Sequence, residues 1–181
     1  GLYFWGLQVE EGSFPTSYIP TSGSTVTRSA DVASIATSAF GYNQDEGTIF
    51  FEGQTFEVAG LRYYWELKED SNNRHLVRSN VSSAVKGITI ASTTQASINK
   101  GSTQTEIAFV RCAYGYQQDN FGISTDGGNP SLDTSGSLPD QVVTLNIGNQ
   151  TGTSSFICGH IKKIQYFPRR LSDTELQEIT S

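Results

Sequence analysis

Three polar segments of this 181-residue chain bring aromatic, amide and carboxylate side chains close enough together to do chemistry. The first, RYYWELKEDSNNRH, sets Tyr64 on the strand face opposite Tyr63 and Trp65 and follows it with Asp70, Asn72, Asn73 and Arg74. The second, YGYQQDN, offers Tyr114, Tyr116, Gln118, Asp119 and Asn120 around a turn. The third, STDGGNPSLD, places Asp126 and Asp133 on either side of a glycine pair. An aromatic platform beside planar polar groups suits a polyhydroxylated ring: the aromatic covers its apolar face and the amides bind its hydroxyls, and loops on a rigid scaffold are where such groups collect. Asp126 and Asp133 provide hard oxygen atoms of the kind calcium takes, without the spacing of an EF-hand loop. Each group also has a plainer reading. Trp65 and Tyr63 share a face with Leu67 and suit a core, Asp70, Asn72 and Asn73 suit a turn, and Tyr116 beside Gly115 suits packing over a strand end.

Catalytic groupings are harder to find. Retaining glycoside hydrolysis needs two carboxyl groups about 5 Å apart. The nearest acidic groupings are Asp45 with Glu46, Glu66 with Glu69 and Asp70, and Asp173 with Glu175; these read as a turn, a hairpin and a helix cap. No G-x-S-x-G elbow occurs, and the two imidazoles, His75 and His160, stand outside any motif. His75 reads as solvated or cross-strand at a hairpin shoulder and His160 as structural. The expectation is a protein without enzymatic activity and without a cofactor, calcium being the one ion its residues suit. Zinc is excluded by two Cys and two His set far apart.

The elements that must position these residues are strands. Gly (18) and Pro (5) punctuate runs of Val, Ile, Thr, Phe and Tyr at intervals of about eight to fifteen residues, the signature of an all-β sandwich or barrel. Strands are expected at 2–9, 26–35, 47–56, 62–69, 74–79, 87–91, 106–114, 121–124, 142–148 and 155–167. The clearest hairpin turns through Asp70–Asn73, whose short polar side chains bond nearby backbone. In TEIAFVRCAYGY both alternating sets are largely apolar, as in a strand covered on both faces. GHIKKIQYF breaks strict alternation after Gly159, which predicts a bulge. One helix is specified, in RRLSDTELQEITS: Ser172 and Glu175 form a capping box, with Leu171 and Leu176 as its hydrophobic staple.

Composition bounds the partners. Ser and Thr total 41, so polarity comes from hydroxyls more than from the 17% of charged residues, while 20 aromatics are ample for a core. A net charge of −6 lacks the basic stripe of a nucleic-acid binder, and no apolar run is long enough for membrane insertion. Cys112 and Cys158 lie in apolar runs and read as buried small hydrophobes, a bridge between them being the alternative. The Ser/Thr/Pro-rich stretch PTSYIPTSGSTVTRSAD reads as a lead-in, so residues 1–20 are expected to be a leading strand and linker and 21–181 the domain. With no Met and no signal pattern at its start, the chain reads as part of a longer protein.

The lead-in WGLQVEEGSFPTSYIPTSGSTVTRSADVASI resembles a segment of bacteriophage tail-fibre and tailspike proteins that precedes a domain of the concanavalin A-like lectin/glucanase superfamily. The closing TSGSLPDQVVTLNIGN and GHIKKIQYFPRRLSDTELQEIT are similar to the last strands of those phage and laminin-G-like jelly rolls. The two matches take in about the first 35 and the last 50 residues. The resemblance implies a two-sheet antiparallel jelly-roll sandwich with a short C-terminal helix. It also implies non-catalytic binding of host surface polysaccharide or lipopolysaccharide on a virion tail assembled in the bacterial cytoplasm, beside other tail modules and as a homotrimer in the full-length protein. The E-x-D-x-x-E pattern of the glucanase members is missing. A structural assembly domain and, more remotely, a polysaccharide depolymerase are the alternatives.

Overall fold

A computed structural model describes residues 1–11, 15–56, 60–79, 84–101, 109–151 and 154–181. The chain divides into two units, Gly1–Asp31 and Val32–Ser181; the boundary expected near residue 20 falls inside the first.

In the first unit no described residue is in regular secondary structure, so the strand expected over Leu2–Val9 is not formed. Side-chain bonds shape it instead. The Glu10 carboxylate accepts from the Thr16 amide and hydroxyl at 2.6 and 2.5 Å, Gln8 Oε1 accepts from the Ile19 amide at 2.8 Å, and Trp5 leans on Tyr18 with 5.4 Å between ring centroids. Leu2, Tyr3, Phe4, Leu7 and Val9 remain exposed.

The second unit is built by period-two alternation. Its strands are β1 (Ala33–Ala36), β2 (Glu46–Thr55), β3 (Arg62–Lys68), β4 (Asn73–Ser79), β5 (Val85–Ala91), β6 (Thr93–Lys100), β7 (Phe109–Gln117), β8 (Phe121–Thr125), β9 (Ser131–Asp133), β10 (Thr144–Ile147) and β11 (Gly159–Phe167), followed by helix α1 (Asp173–Ile179). They form two antiparallel sheets, one of six strands in the order β1-β10-β3-β4-β5-β6 and one of five in the order β11-β2-β7-β8-β9. Ile49 and Phe51 of β2, Trp65 and Leu67 of β3, Val77 of β4, and Cys112, Tyr114 and Tyr116 of β7 meet between the sheets, so apolar burial joins the two layers. Cys112, buried, and Cys158, half-buried, are not bridged to each other.

The hairpin at 70–73 forms, with Asp70 Oδ1 accepting from the amides of Asn72 and Asn73 at 2.7 and 2.8 Å. The bulge in β11 falls between Ile161 and Lys163. The capping box forms too: Glu175 N donates to Ser172 Oγ at 3.3 Å and Ser172 N to Glu175 Oε2 at 2.8 Å. Leu171 and Leu176 bury against Phe50 and Ala113. Strands β6 and β9 were not expected. The run expected over 106–114 is described only from Phe109 and extends to Gln117; residues 106–108 lie outside the described residues. Nor is β7 covered twice along its described length: Phe109 and Arg111 are exposed, and cover reaches its outer face at Ala113 under the helix.

Arg170 explains two glycines. Its side chain lies across β7 and β8, where a Cβ on Gly115 would come within 2.7 Å of Arg170 Cδ and one on Gly122 within 2.5 Å of its Nη2. Only residues without a side chain leave that track open, and Asp173 fixes the guanidinium at 2.8 Å.

Candidate functional site

A bulge creates the most distinctive polar surface of the second unit. Between Tyr63 and Trp65 the β3–β4 register shifts, which sends Tyr64 inward to stack on Phe51 with 4.9 Å between centroids and leaves Tyr63 on the outer face of the six-stranded sheet. Tyr63 joins Leu76, Ile88 and Ile90 there in an apolar cluster separate from the core.

Pairing register arranges this outer face in rows, because residues directly opposite on neighbouring strands share a face. One row crosses all six strands: Ser34, Asn146, Glu66, Leu76, Ile88, Ser97. On one side of it lie Lys68, Arg74 and Ile90, and on the other Tyr63, Arg78, Lys86 and Asn99. Glu66 is fully buried. Its Oε1 accepts from Arg74 Nη1 at 2.8 Å and its Oε2 from the Thr151 amide at 3.2 Å. Thr151 has φ +54°, a left-handed conformation that a β-branched residue adopts only under constraint, so the Glu66 carboxylate holds the β10–β11 connection against the sheet. Arg78 lies over the Tyr63 ring, 5.8 Å from its centroid. Among the described residues three buried nitrogens on this face lack an acceptor: Arg74 Nε, Arg78 Nε and Asn146 Nδ2. Tyr63, Leu76 and Ile88 are nearly as buried as the core, so the groups this face offers a ligand are its polar and charged ones.

The opposite outer face differs. On the five-stranded sheet α1 covers Phe50 and Ala113, and beyond the helix Glu52 pairs with Lys162 at 2.8 Å and Arg111 at 3.4 Å. These cations hold the Glu52 carboxyl below the usual carboxylate range.

No sequence family and no curated protein matches the chain. Solved structures do. The CBM40 domain of the Ruminococcus gnavus IT-sialidase superposes with a TM-score of 0.67 at 12% identity, over 80% of this chain and 87% of that one. The same domain bound to α2,3-sialyllactose superposes at 0.64, also at 12% identity and the same coverage. A SAP-like pentraxin from Limulus polyphemus gives 0.58 at 12% identity over 75% and 70% of the two chains. Domains LG4-5 of the mouse laminin α1 chain give 0.54 at 11% over 72% and 37%. The chain has the concanavalin A-like jelly-roll fold.

Within this jelly roll the tyrosines singled out in sequence are corrected. Tyr64, Tyr114 and Tyr116 are buried between the sheets, and a ring with no exposed face cannot stack on a sugar. Tyr114 hydroxyl bonds Thr89 Oγ1 at 2.8 Å, and burial pushes both the Tyr114 and Tyr116 phenols well above their ordinary range. Of the two readings of His75 the cross-strand one holds: it is buried, opposite Thr89 on β5. It stacks on Tyr116 at 4.1 Å and bonds Thr89 through Nδ1 at 2.9 Å, and desolvation lowers its pKa to about 3. His160 is exposed on β11 and meets the Phe56 ring edge to face at 5.1 Å.

The polar loop residues are brought together. The Ser92 amide donates to the Asn72 carbonyl at 2.8 Å, and the Asp119 amide to the Gly136 carbonyl at 3.1 Å. Asp119 Oδ1 takes the Gly136 amide at 2.9 Å, and Gln95 Oε1 takes that of Ser137 at 3.1 Å. Asn72 and Asn73 at one end of this chain of contacts, and Gln118, Asp119 and Asn120 at the other, line one rim of the sandwich. Much of their bonding capacity closes turns, as in Asn120 Nδ2 to Gln117 Oε1 at 2.9 Å.

Asp126 and Asp133 are not a joint site. Asp133 pairs in register with Phe121 at one end of β8 and Asp126 follows the other end, roughly 15 Å of strand apart. Asp126 accepts from the Arg111 amide at 3.0 Å and Asp133 from the Ser135 amide at 3.2 Å. Among the described residues no three metal-binding side chains converge.

Of the residues offered from sequence as sugar ligands, Arg74 alone sits on the outer face of the six-stranded sheet. Tyr63, Glu66, Leu76, Arg78, Ile88 and Asn146 were missed as a set. One local signal was available: in NRHLVRS, period two puts Arg74, Leu76 and Arg78 on one side of a single strand.

Proposed function

We propose that this chain is a non-catalytic carbohydrate-binding domain that uses the outer face of its six-stranded sheet, carried on a phage tail protein and directed at bacterial surface polysaccharide or lipopolysaccharide. The observation that carries the reading is the Glu66–Arg74 pair set beside the buried apolar cluster of Tyr63, Leu76 and Ile88. Charged groups are kept in a desolvated sheet face at a cost, and a ligand that meets them offsets it. The CBM40 domain bound to α2,3-sialyllactose supports a sugar as ligand, and the phage-like lead-in supports the setting.

Calorimetric titration of the purified chain with host polysaccharide and lipopolysaccharide tests this, and tryptophan fluorescence is the weaker probe because Trp65 is core. Saturable binding is expected, and Asn99→Trp, which adds bulk at an exposed position of the face, is expected to abolish it. Undiminished binding in Asn99→Trp would move the site to the rim of Asn72, Asn73, Gln118, Asp119 and Asn120. Release of reducing ends would instead favour a depolymerase.

A second reading has its own observation. Leu2, Tyr3, Phe4, Trp5, Leu7 and Val9 are exposed together, which suits an assembly segment of a trimeric tail fibre. A stable trimer by light scattering with no affinity for any glycan would favour that reading.

A further inference from the structure

We infer that the sugar bound on this face carries a carboxylate and that Arg78 is its principal ligand. The inference rests on the carbohydrate-binding reading and narrows it.

Charge on the face is unbalanced in the sense opposite to the chain. The protein carries −6 overall, yet the central rows of this face hold Lys68, Arg74, Arg78 and Lys86 against one carboxylate, Glu66. That carboxylate is fully engaged: one oxygen holds Arg74 and the other the Thr151 amide. Among the described residues no carboxylate forms an ion pair with Lys68, Arg78 or Lys86.

Arg78 and Lys86 sit directly opposite each other on β4 and β5. Like charges in that relation repel, and partial burial of both strengthens the repulsion. Elsewhere the chain resolves the same problem internally, by setting Glu52 between Arg111 and Lys162. Beside Arg78 no described carboxylate plays that part. It lies over the Tyr63 ring, and its Nε is buried with no acceptor among the described residues.

An anion bridging Arg78 and Lys86 converts the repulsion into two attractions. The guanidinium fork matches a carboxylate in two parallel hydrogen bonds. Leu76 on β4 and Ile88 on β5 are buried beside this pair, so what the face offers a ligand is its charge. A sugar acid supplies the anionic group that the cation pair calls for.

The test is a glycan array carrying neutral, carboxylated, sulfated and phosphorylated bacterial glycans, followed by titration with oligogalacturonate and its methyl ester, which lacks the charge and adds one methyl per residue. Hits concentrated among carboxylated glycans are expected, with the ester about tenfold weaker or worse. Arg78→Gln should bring the acid down to the level of the ester and leave the ester unchanged. Lys86→Gln should give a smaller loss of the same kind, and it carries the test if Arg78→Gln does not fold by thermal melt. Hits confined to neutral glycans, or to sulfate and phosphate, would overturn the inference and leave the carbohydrate reading standing. No hit of any class would remove both.

Discussion

On the five-stranded sheet, Phe50 and Ala113 are sealed under Leu171 and Leu176 of the C-terminal segment, whereas on the six-stranded sheet Tyr63, Leu76 and Ile88 lie among Arg74, Arg78 and Glu66 with no described helix above them. Both faces start from the same kind of strand. One is finished by apolar burial and neutralised charge, the other by a buried ion pair beside unneutralised cations. A fold needs only the first finish to be stable, so the second calls for another cause.

If the open face is a desolvated site and not an ordinary solvated surface, removing one of its charges should cost as much as a core truncation. Arg74→Ala leaves the Glu66 carboxylate buried without its cation, and loss of one partner of a buried pair costs about 3–5 kcal/mol. Denaturant unfolding measures it; a loss under about 0.5 kcal/mol would make the pair an exposed one and erase the contrast between the faces. On the closed face Leu176→Ala should cost about 2–5 kcal/mol through the lost burial and the cavity left behind. Glycan affinity should be unchanged in that variant, and a fall in affinity at constant fold would mean that the two faces are coupled.

The strand that carries Arg74, Leu76 and Arg78 outward carries His75 inward, which gives the comparison a pH axis. His75 in the folded protein has its pKa lowered to about 3 from an ordinary 6.5 because the neutral ring is desolvated. Between those values the unfolded chain binds a proton that the native chain does not, so stability rises with pH across the window and levels off above about 7. The slope contributed by this one residue is at most about 1.4 kcal/mol per pH unit. Most carboxylates titrate lower, so the interval from pH 6.5 to 5 isolates His75, and His75→Phe should flatten stability there. An unchanged slope would mean that the ring is already solvated in the native state.

How far sequence reached follows from how local each feature is. The 70–73 turn, the β11 bulge and the helix cap each depend on a handful of neighbouring residues, and each was readable. Strand β6, TTQASINK, was not, because it is the edge of its sheet and half its residues face solvent, so hydroxyls and amides replace the β-branched apolar run that marks an inner strand. Tyr116 was placed in a turn because Gly115 precedes it, yet β7 continues through both, and the glycine is explained by Arg170 from 55 positions later. The open face was illegible for the same reason. Asn146, Glu66, Leu76 and Ile88 become neighbours only through the registers of four strands, and the bulge that turns Tyr63 outward reverses the parity that a plain alternation assigns.

The smallest of these effects separates what closes a face from what merely decorates it. Ser172→Ala removes the acceptor for the Glu175 amide, and loss of such an N-cap costs about 1 kcal/mol. Glu175 keeps its ion pair with Arg169 at 2.7 Å and the amide of Ser172 at 2.8 Å, contacts that hold its pKa down at about 2. The carboxylate therefore remains charged at neutral pH without the serine hydroxyl, and half of the capping box survives. Leu171 and Leu176 are untouched, so if apolar burial is what seals the five-stranded sheet, Ser172→Ala should lower the melting temperature by a few degrees with no change in hydrogen exchange at Phe50 and Ala113. Faster exchange at those two amides would show the cap to be part of the seal, and the closed face would then depend on polar contacts almost as much as the open one does.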